Sequence, residues 1–158
     1  MIPSFLLALL LAVQPAAPFG SWTLDAAPDL PKVIEDATAS MNFITRPIAR
    51  SRLNKTNEVY QTMRIEREAD TISIQYGQRQ PQHMPADGST VAWTREDGEK
   101  FLISARAERD ELVQTYKAED GERTNVFHVD PASRILTLKV TVTSPRLPRP
   151  VSYAITYR

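Results

Sequence analysis

The chain contains no cysteine, and only five glycines and two histidines occur among its 158 residues. The absence of cysteine excludes thiol catalysis, disulfide bonds and thiolate-bound metal. Nineteen basic and nineteen acidic residues cancel, so the charge balance gives no reason to expect nucleic acid as a partner. His83 and His128 lie in unrelated contexts outside any metal-binding motif. The sequence therefore predicts no metal site and no cofactor.

Long hydrophobic runs are also missing, except at the N-terminus. Residues 2–20 carry no charged side chain, and residues 5–13 are a compact run of Phe, Leu, Ala and Val. This length is typical of a secretory signal peptide and falls far below the roughly 20 residues that cross a bilayer. We predict a signal peptide at residues 1–19, no transmembrane segment, and one periplasmic or secreted domain at residues 20–158. The alternative is a buried N-terminal helix.

A helical pattern is confined to one segment after a short first strand. Asp29 and Pro31 are typical of a helix start, and Pro47 is predicted to end the helix. Asn42 and Phe43 offer instead a break into two short helices. An apolar stripe at helical spacing indicates that this segment covers another element; the stripe comprises Leu30, Val33, Ile34, Ala37, Met41 and Ile44.

The basic residues 46–55 follow this helical pattern. No acid lies between Asp36 and Glu58, whereas Arg46, Arg50, Arg52 and Lys55 are all cationic. A solvated linker is the simplest interpretation. Contact with anionic lipid headgroups, or with an acidic group of a ligand, is the alternative.

Strand-like alternation fills residues 57–158. Turn pairs such as Asp97-Gly98 and Asp120-Gly121 separate the runs at the spacing of consecutive hairpins. With residues 21–24 this predicts about nine strands, and residues 80–85 offer a tenth. The clearest apolar faces are Ile72, Ile74 and Tyr76; Leu136, Leu138, Val140 and Val142; and Val151, Tyr153, Ile155 and Tyr157.

Sequential hairpins leave two exposed edges unless the sheet closes on itself. We therefore predict a mainly β fold, a single antiparallel up-and-down barrel of about 8–10 strands with the helical segment covering one end. A β-sandwich is the alternative.

The opening Phe19-Gly20-Ser21-Trp22-Thr23-Leu24 resembles the Gly-x-Trp strand of the calycins, the lipocalins and fatty-acid-binding proteins. The order of strand, helical segment and meander is closer to the fatty-acid-binding branch. The resemblance implies that Gly20 and Trp22 lie at the base of the barrel, with Arg158 from the last strand packed across the tryptophan as a cation–π partner. It also implies a cavity for a small ligand.

The chain departs from fatty-acid-binding proteins where those proteins hold a carboxylate. Their Arg-x-Tyr pair is replaced here by Ile155-Thr156-Tyr157, and the position of their other inward arginine falls on Phe127. A buried carboxylate without a cation is costly. This departure from the family therefore favours a neutral apolar or weakly polar ligand.

The predicted lining of the barrel combines apolar walls with a few hydroxyl groups. Whether these side chains fill the interior or enclose a cavity stays open at this stage. The predicted lining residues are Ile74, Tyr76, Trp93, Phe101, Ile103, Leu112, Tyr116, Tyr153 and Tyr157.

Three functions follow from these patterns. The first is a non-catalytic module that binds a small apolar ligand, with the helix over its entrance. The second is a structural or interaction module of the cell envelope with a filled barrel. The third is an enzyme at the barrel mouth, which requires His128 or a carboxylate to face inward.

Overall fold

The computed structural model describes residues 17–158, so the predicted signal peptide lies outside the described residues except for its last three positions. Ten strands make up nearly half of this part of the chain. They are β1 Gly20–Ala26, β2 Thr62–Glu68, β3 Thr71–Tyr76, β4 Gln82–Pro85, β5 Val91–Thr94, β6 Lys100–Glu108, β7 Glu111–Ala118, β8 Gly121–Val129, β9 Leu136–Thr143 and β10 Val151–Tyr157.

The strands form one antiparallel sheet in the order β4-β3-β2-β1-β10-β9-β8-β7-β6-β5. The first and last strands are neighbours: Thr23 N donates to Arg158 O at 2.7 Å, and Arg158 N donates to Thr23 O at 2.8 Å. The sheet thereby curls into a nearly closed up-and-down barrel, whose remaining seam lies between β4 and β5. The predicted fold class is confirmed, the segment offered as a tenth strand is β4, and the sandwich alternative is wrong.

Two short helices follow β1, namely α1 at Leu30–Thr38 and α2 at Arg46–Thr56. Asp29 caps α1 by accepting a hydrogen bond from Lys32 N at 3.3 Å. Pro47 lies in the first turn of α2, so its predicted role as a helix end is wrong. Proline fits the first turn because the backbone N–H it lacks has no intrahelical acceptor there. The basic stretch is thus a helix and not a linker.

The two helices differ in what they bury. α1 packs against α2 and β10 and buries Leu30, Ile34, Ala37 and Thr38, whereas Leu53 is the buried residue of α2. We call α1, α2 and the turn between them the helical cap. Among residues 17–158 no helix is long and apolar enough to cross a membrane.

The inward faces of the strands form one hydrophobic core. In β10 the residues Val151, Tyr153, Ile155 and Tyr157 are buried, and the alternate positions face outward. Burial of this kind stabilises the fold by roughly 1.5–3 kcal/mol for each large apolar side chain. Phe127 of β8 is fully buried within this core.

Phe127→Ala is expected to lower the free energy of unfolding by about 3–5 kcal/mol, because it removes apolar contacts and leaves a cavity. Urea denaturation followed by tryptophan fluorescence measures the change. The matched control is Val126→Ala, since the neighbouring Val126 is only half-buried on the opposite face. Equal losses in the two variants would contradict the assigned inward face of β8.

Candidate ligand-binding lumen

The predicted lining residues meet in the barrel interior. Most are buried, whereas Trp93 and Phe101 are half-buried on the β5–β6 hairpin. The Tyr116 ring contacts both, with ring centroids 5.9 Å from Trp93 and 6.2 Å from Phe101. The buried members are Ile74, Tyr76, Ile103, Leu112, Tyr116, Tyr153 and Tyr157.

A polar network lies among these apolar walls. Gln114 of β7 is fully buried, and its Oε1 accepts hydrogen bonds from Tyr76 Oη at 2.6 Å and Asn125 Nδ2 at 3.1 Å. Its Nε2 donates to Gln82 Oε1 at 2.8 Å, and that oxygen also accepts from Tyr116 Oη at 2.6 Å. Buried amides are stabilised only when they are paired in this way.

The network crosses the lumen from one wall to the other. Tyr76 belongs to β3 and Asn125 to β8, and four strands separate β3 from β8 in either direction around the sheet. Asn125 Nδ2 nevertheless lies 3.1 Å from Tyr76 Oη. At this level the interior is bridged by side chains. The sequence left open whether the barrel is filled or hollow, and in this layer it is filled.

Arg123 of β8 extends the network towards the helical cap. Its Nε donates to Asn125 Oδ1 at 3.0 Å, and one Nη donates to Thr56 O at 3.1 Å and Asn57 Oδ1 at 3.3 Å. Asn57 Oδ1 also accepts from Tyr153 Oη at 2.9 Å. None of the ion pairs formed among residues 17–158 includes Arg123.

This guanidinium corrects a sequence prediction. The inward arginine was predicted to be missing because its position falls on Phe127, and Phe127 does face inward. Arg123 lies on the same face four residues earlier, as the alternation Arg123, Asn125, Phe127 of β8 shows. The lumen therefore contains a cation, and the argument that a carboxylate has no charge partner there is wrong.

Polarity in the lumen changes along the strands. Three successive inward pairs of β7 and β8 read, from the β7–β8 turn, Tyr116 with Arg123, Gln114 with Asn125, and Leu112 with Phe127. The first two pairs are polar and the third is apolar. A molecule with a polar end and an apolar body is complementary to such a gradient.

The lumen tyrosines are neutral hydroxyl groups at physiological pH. Burial raises the pKa of Tyr116 and of Tyr157 to about 12, and raises that of Tyr76 well above 10. The nearby charge of Arg123 acts in the opposite direction on all three pKa values. Each hydroxyl therefore keeps its proton, which Tyr76 donates to Gln114 and Tyr116 donates to Gln82.

Raised tyrosine pKa values predict alkaline destabilisation. Below pH 10 a tyrosine is protonated in both the folded and the unfolded chain and does not alter stability with pH. Between pH 10 and about 12 it ionises in the unfolded chain first, so the free energy of unfolding is expected to fall. Tyr116 alone contributes about 2–3 kcal/mol to that fall.

Urea titrations at pH values from 8 to about 12 measure this decline. Tyr116→Phe is expected to be less sensitive than the unaltered chain above pH 10, because it removes one of the ionising groups. A stability that is flat through pH 12 would show that the phenols are not desolvated.

Ion pairs join the turns at the seam to the segment after α2 and, through Arg52, to the helical cap. Arg79, in the β3–β4 turn, contacts Glu58 at 2.9 Å and Glu96 at 3.2 Å, and Arg52 of α2 contacts Glu99 at 3.0 Å. All five side chains are partly exposed, so each pair stabilises the contact by less than about 1 kcal/mol. The cap is therefore held weakly at this edge.

Open grooves lie on the outside of the barrel. One of about 650 Å³ lies between α2 and the β5–β6 and β7–β8 turns, lined by Arg52, Glu99, Lys100, Ala118, Glu119, Asp120 and Arg146. Another of about 490 Å³ lies beside Phe19 and the end of β2. The first is lined mainly by charged side chains and suits an apolar ligand poorly.

At the base of the barrel Trp22 is buried, and its Nε1 donates to Pro18 O at 2.9 Å. The predicted cation–π contact of Arg158 is wrong. Its guanidinium is exposed and pairs with Asp25 at 2.7 Å, while the cations over aromatic rings in the described chain are Arg79 over Tyr60 and Arg95 over Phe101. Gly20, at φ 143°, begins β1 in a backbone conformation that favours glycine.

The enzyme hypothesis named His128 or a carboxylate as an inward group, and His128 faces outward. His128 is paired with Glu111 and Thr137 on the outer face, and its nearest acid is Asp110 at 3.5 Å. No carboxylate is buried among residues 17–158, and no group of His, Asp and Glu side chains there is arranged to hold a metal ion. The inward histidine or carboxylate that the enzyme hypothesis needs is therefore missing from the described lumen.

Sequence reasoning missed the polar half of the lumen. Gln114 lies on the same face of β7 as Leu112 and Tyr116, and Asn125 lies on the same face of β8 as Phe127. Strand alternation places such residues inward whatever their polarity. The alternation thus gave a signal for these positions, whereas an assignment by apolar residues alone does not include them.

The barrel is similar to several solved structures. A fatty acid transporter, REP1-NXSQ, shares 14% identity over 89% of this chain and 93% of its own, with a TM-score of 0.56. Human cRBP IV shares 17% over 91% and 98%, also at 0.56. A fatty acid binding protein from Schistosoma mansoni, solved with arachidonic acid, shares 19% over 92% and 97%, again at 0.56.

Comparison by sequence gives no match. No protein-family profile matches the chain, and no curated protein matches it. The structural likeness at under 20% identity concerns the fold. The resemblance predicted from the opening strand and the meander is confirmed at that level: the chain has the calycin barrel fold, in the form seen in fatty-acid-binding and retinol-binding proteins.

Proposed function

We propose that this chain is a non-catalytic carrier that binds a small, mainly apolar molecule with one polar or anionic end inside the barrel. The observation that carries the proposal is Arg123, an inward cation without an acidic partner among the described residues. Of its five N–H donors, the Nη2 group makes no hydrogen bond to the described chain. A carboxylate or sulfonate would pair with that group and satisfy it.

The polar network offers further partners for the ligand's polar end. Tyr153, Asn57 and Asn125 surround Arg123 with one hydroxyl and two amide groups. Because the network bridges the lumen, entry of a ligand requires these side chains to rotate. The ligand's polar atoms would then replace the hydrogen bonds that the rotation breaks, so little hydrogen-bond energy is lost.

The helical cap provides a surface through which the protein would contact the membrane that supplies or receives the ligand. Three large apolar side chains at the turn and the start of α2 are exposed: Phe43 by 83%, Ile44 by 65% and Ile48 by 67%. The turn is ordered, because Asn42 Oδ1 accepts hydrogen bonds from the backbone N–H groups of Ile44 at 3.0 Å and Thr45 at 2.9 Å. Exposed apolar side chains held together in this way are typical of an interaction surface.

The charges beside these apolar residues favour an anionic lipid surface as the partner. α2 carries Arg46, Arg50, Arg52 and Lys55 and no acid. Arg50 and Arg52 are paired with Glu35 and Glu99, whereas Arg46 bonds a backbone carbonyl, that of Met41. An apolar patch flanked by cations binds at a bilayer interface through both effects. In this proposal the cap meets the membrane from which ligand is taken or to which it is delivered.

Export belongs to the same proposal. The charge-free residues 2–20 and the apolar run at residues 5–13 support a signal peptide. The absence of cysteine suits either side of the membrane, so it does not decide the location. Fractionation of cells that express the full chain, followed by immunoblotting, tests this part separately from ligand binding.

The test of ligand binding is extraction of the purified protein with organic solvent, followed by mass spectrometry. We expect a stoichiometric amphiphile from protein purified from its natural host. The anionic probe anilinonaphthalene sulfonate is expected to bind the extracted protein, with its fluorescence raised in the apolar lumen. The bridging of the lumen favours a second function, a filled structural barrel, which predicts a clean extract and no response to the probe.

A further inference from the structure

The segment just before β1 is part of the folded barrel. Pro18 is buried, and its carbonyl oxygen is the acceptor for the indole N–H of Trp22. Phe19 is half-buried and packs against the core, beside Ile65 in the middle of β2. The fold therefore includes two residues that the sequence assigned to the signal peptide.

Removal of these residues would damage the base of the barrel. A chain that begins at Gly20 lacks the acceptor for the buried Trp22 N–H, and an unsatisfied buried donor is destabilising. It also loses the apolar contacts of Phe19 and places a charged α-amino group where the backbone now continues. A signal peptide that ended at Phe19 would thus leave a weakened domain.

We propose that the bond cut on export is Ala16–Ala17, so that the mature chain begins at Ala17; this inference rests on the proposed export. A small residue directly precedes a signal-peptide cleavage site, and Ala16 supplies it here, whereas Gln14 stands at the third position before the cut, where the pattern has a second small residue. The next bond, Ala17–Pro18, is unsuitable because the proline nitrogen carries no N–H and its φ is fixed. Cleavage after Ala16 keeps Pro18 and Phe19 in the barrel.

The first experiment is expression of the full chain in a secreting bacterial host, with N-terminal sequencing and intact-mass measurement of the periplasmic product. We expect a first residue of Ala17. A mature chain that begins at Gly20 or later would overturn the inference and leave export intact. An uncut chain retained in the cytoplasm would overturn both.

The second experiment tests the structural reason without export. Two chains are made in the cytoplasm with the same initiating methionine, one starting at Ala17 and one at Gly20. The shorter chain is expected to melt about 5–15 °C lower. In a Trp22→Phe background, where no indole N–H needs an acceptor, the same truncation is expected to cost clearly less. Equal melting temperatures of the two unsubstituted chains would overturn the inference.

Discussion

Arg123→Leu is expected to weaken the binding of laurate by about 10- to 100-fold, because it removes the cation and the charge-assisted hydrogen bonds for the carboxylate. Dodecanol has the same apolar chain and no charge, so its affinity is expected to change little. Isothermal titration of the two ligands against each protein measures the difference. The informative quantity is the ratio of laurate affinity to dodecanol affinity, and this ratio is expected to fall.

The control for this prediction is Arg106→Leu. Arg106 lies on the outer face of β6, where its Nε contacts Glu108 at 2.6 Å. The Arg106→Leu substitution removes the same charge from the protein without altering the lumen, so laurate binding is expected to be unaltered. Equal weakening by the two variants would indicate long-range attraction in place of a contact at Arg123.

The triple substitution Phe43→Ser, Ile44→Ser and Ile48→Ser is expected to reduce binding to anionic vesicles by at least about 100-fold. Each of these exposed side chains can bury apolar surface in the bilayer interface, and serine cannot. The measurement is co-sedimentation with vesicles of phosphatidylcholine that contain phosphatidylglycerol. Because the three side chains are exposed, the melting temperature is expected to stay close to that of the unaltered protein.

Leu102→Ser is the matched control, since Leu102 is exposed by 49% on β6, outside the helical cap. Its vesicle binding is expected to be normal. Replacement of Arg46 and Lys55 by glutamine is expected to weaken binding to anionic vesicles and to reduce its dependence on salt. Full binding by the triple variant would exclude the cap as the membrane contact.

The β-region was predictable because its pattern repeats. Ile72, Ile74 and Tyr76 alternate with exposed or half-exposed residues, and turn pairs such as Asp97-Gly98 mark the hairpins. Closure was predictable from the number of sequential strands and the edge problem, and the hydrogen bonds between Thr23 and Arg158 confirm it. Local period and turn chemistry are enough when every connection is short.

The helical cap was predicted less well because proline has two opposite effects on helices. Pro47 both disfavours helix in Arg46 and is favourable in the first turn of a new helix. The second effect applies here, and the alternative of a break at Asn42 and Phe43 into two short helices is confirmed. The bounds of α2 were not predictable, because this helix has little apolar periodicity. Only Leu53 of α2 is buried, so a hydrophobic stripe was never required.

The apolar residues that line the lumen were predicted from the sequence, whereas the buried amide side chains were not. The positions of Gln114 and Asn125 follow from strand alternation, but their hydrogen bonds to Gln82 and Tyr76 join strands far apart in the chain. Such contacts depend on the curvature of the closed sheet, which no local pattern encodes. The predicted contact of Arg158 with Trp22 was wrong because Asp25 binds the Arg158 guanidinium instead.

The most direct test of ligand binding inside the barrel is an NMR measurement with ¹³C-labelled laurate. If laurate occupies the lumen, nuclear Overhauser contacts will join its methylene groups to the methyl groups of Ile103, Leu112 and Val140, which face inward and are buried. Contacts confined to the exposed methyl groups of Ile44, Ile48 and Leu102, or no binding at all, would contradict a ligand-binding lumen and leave a filled barrel.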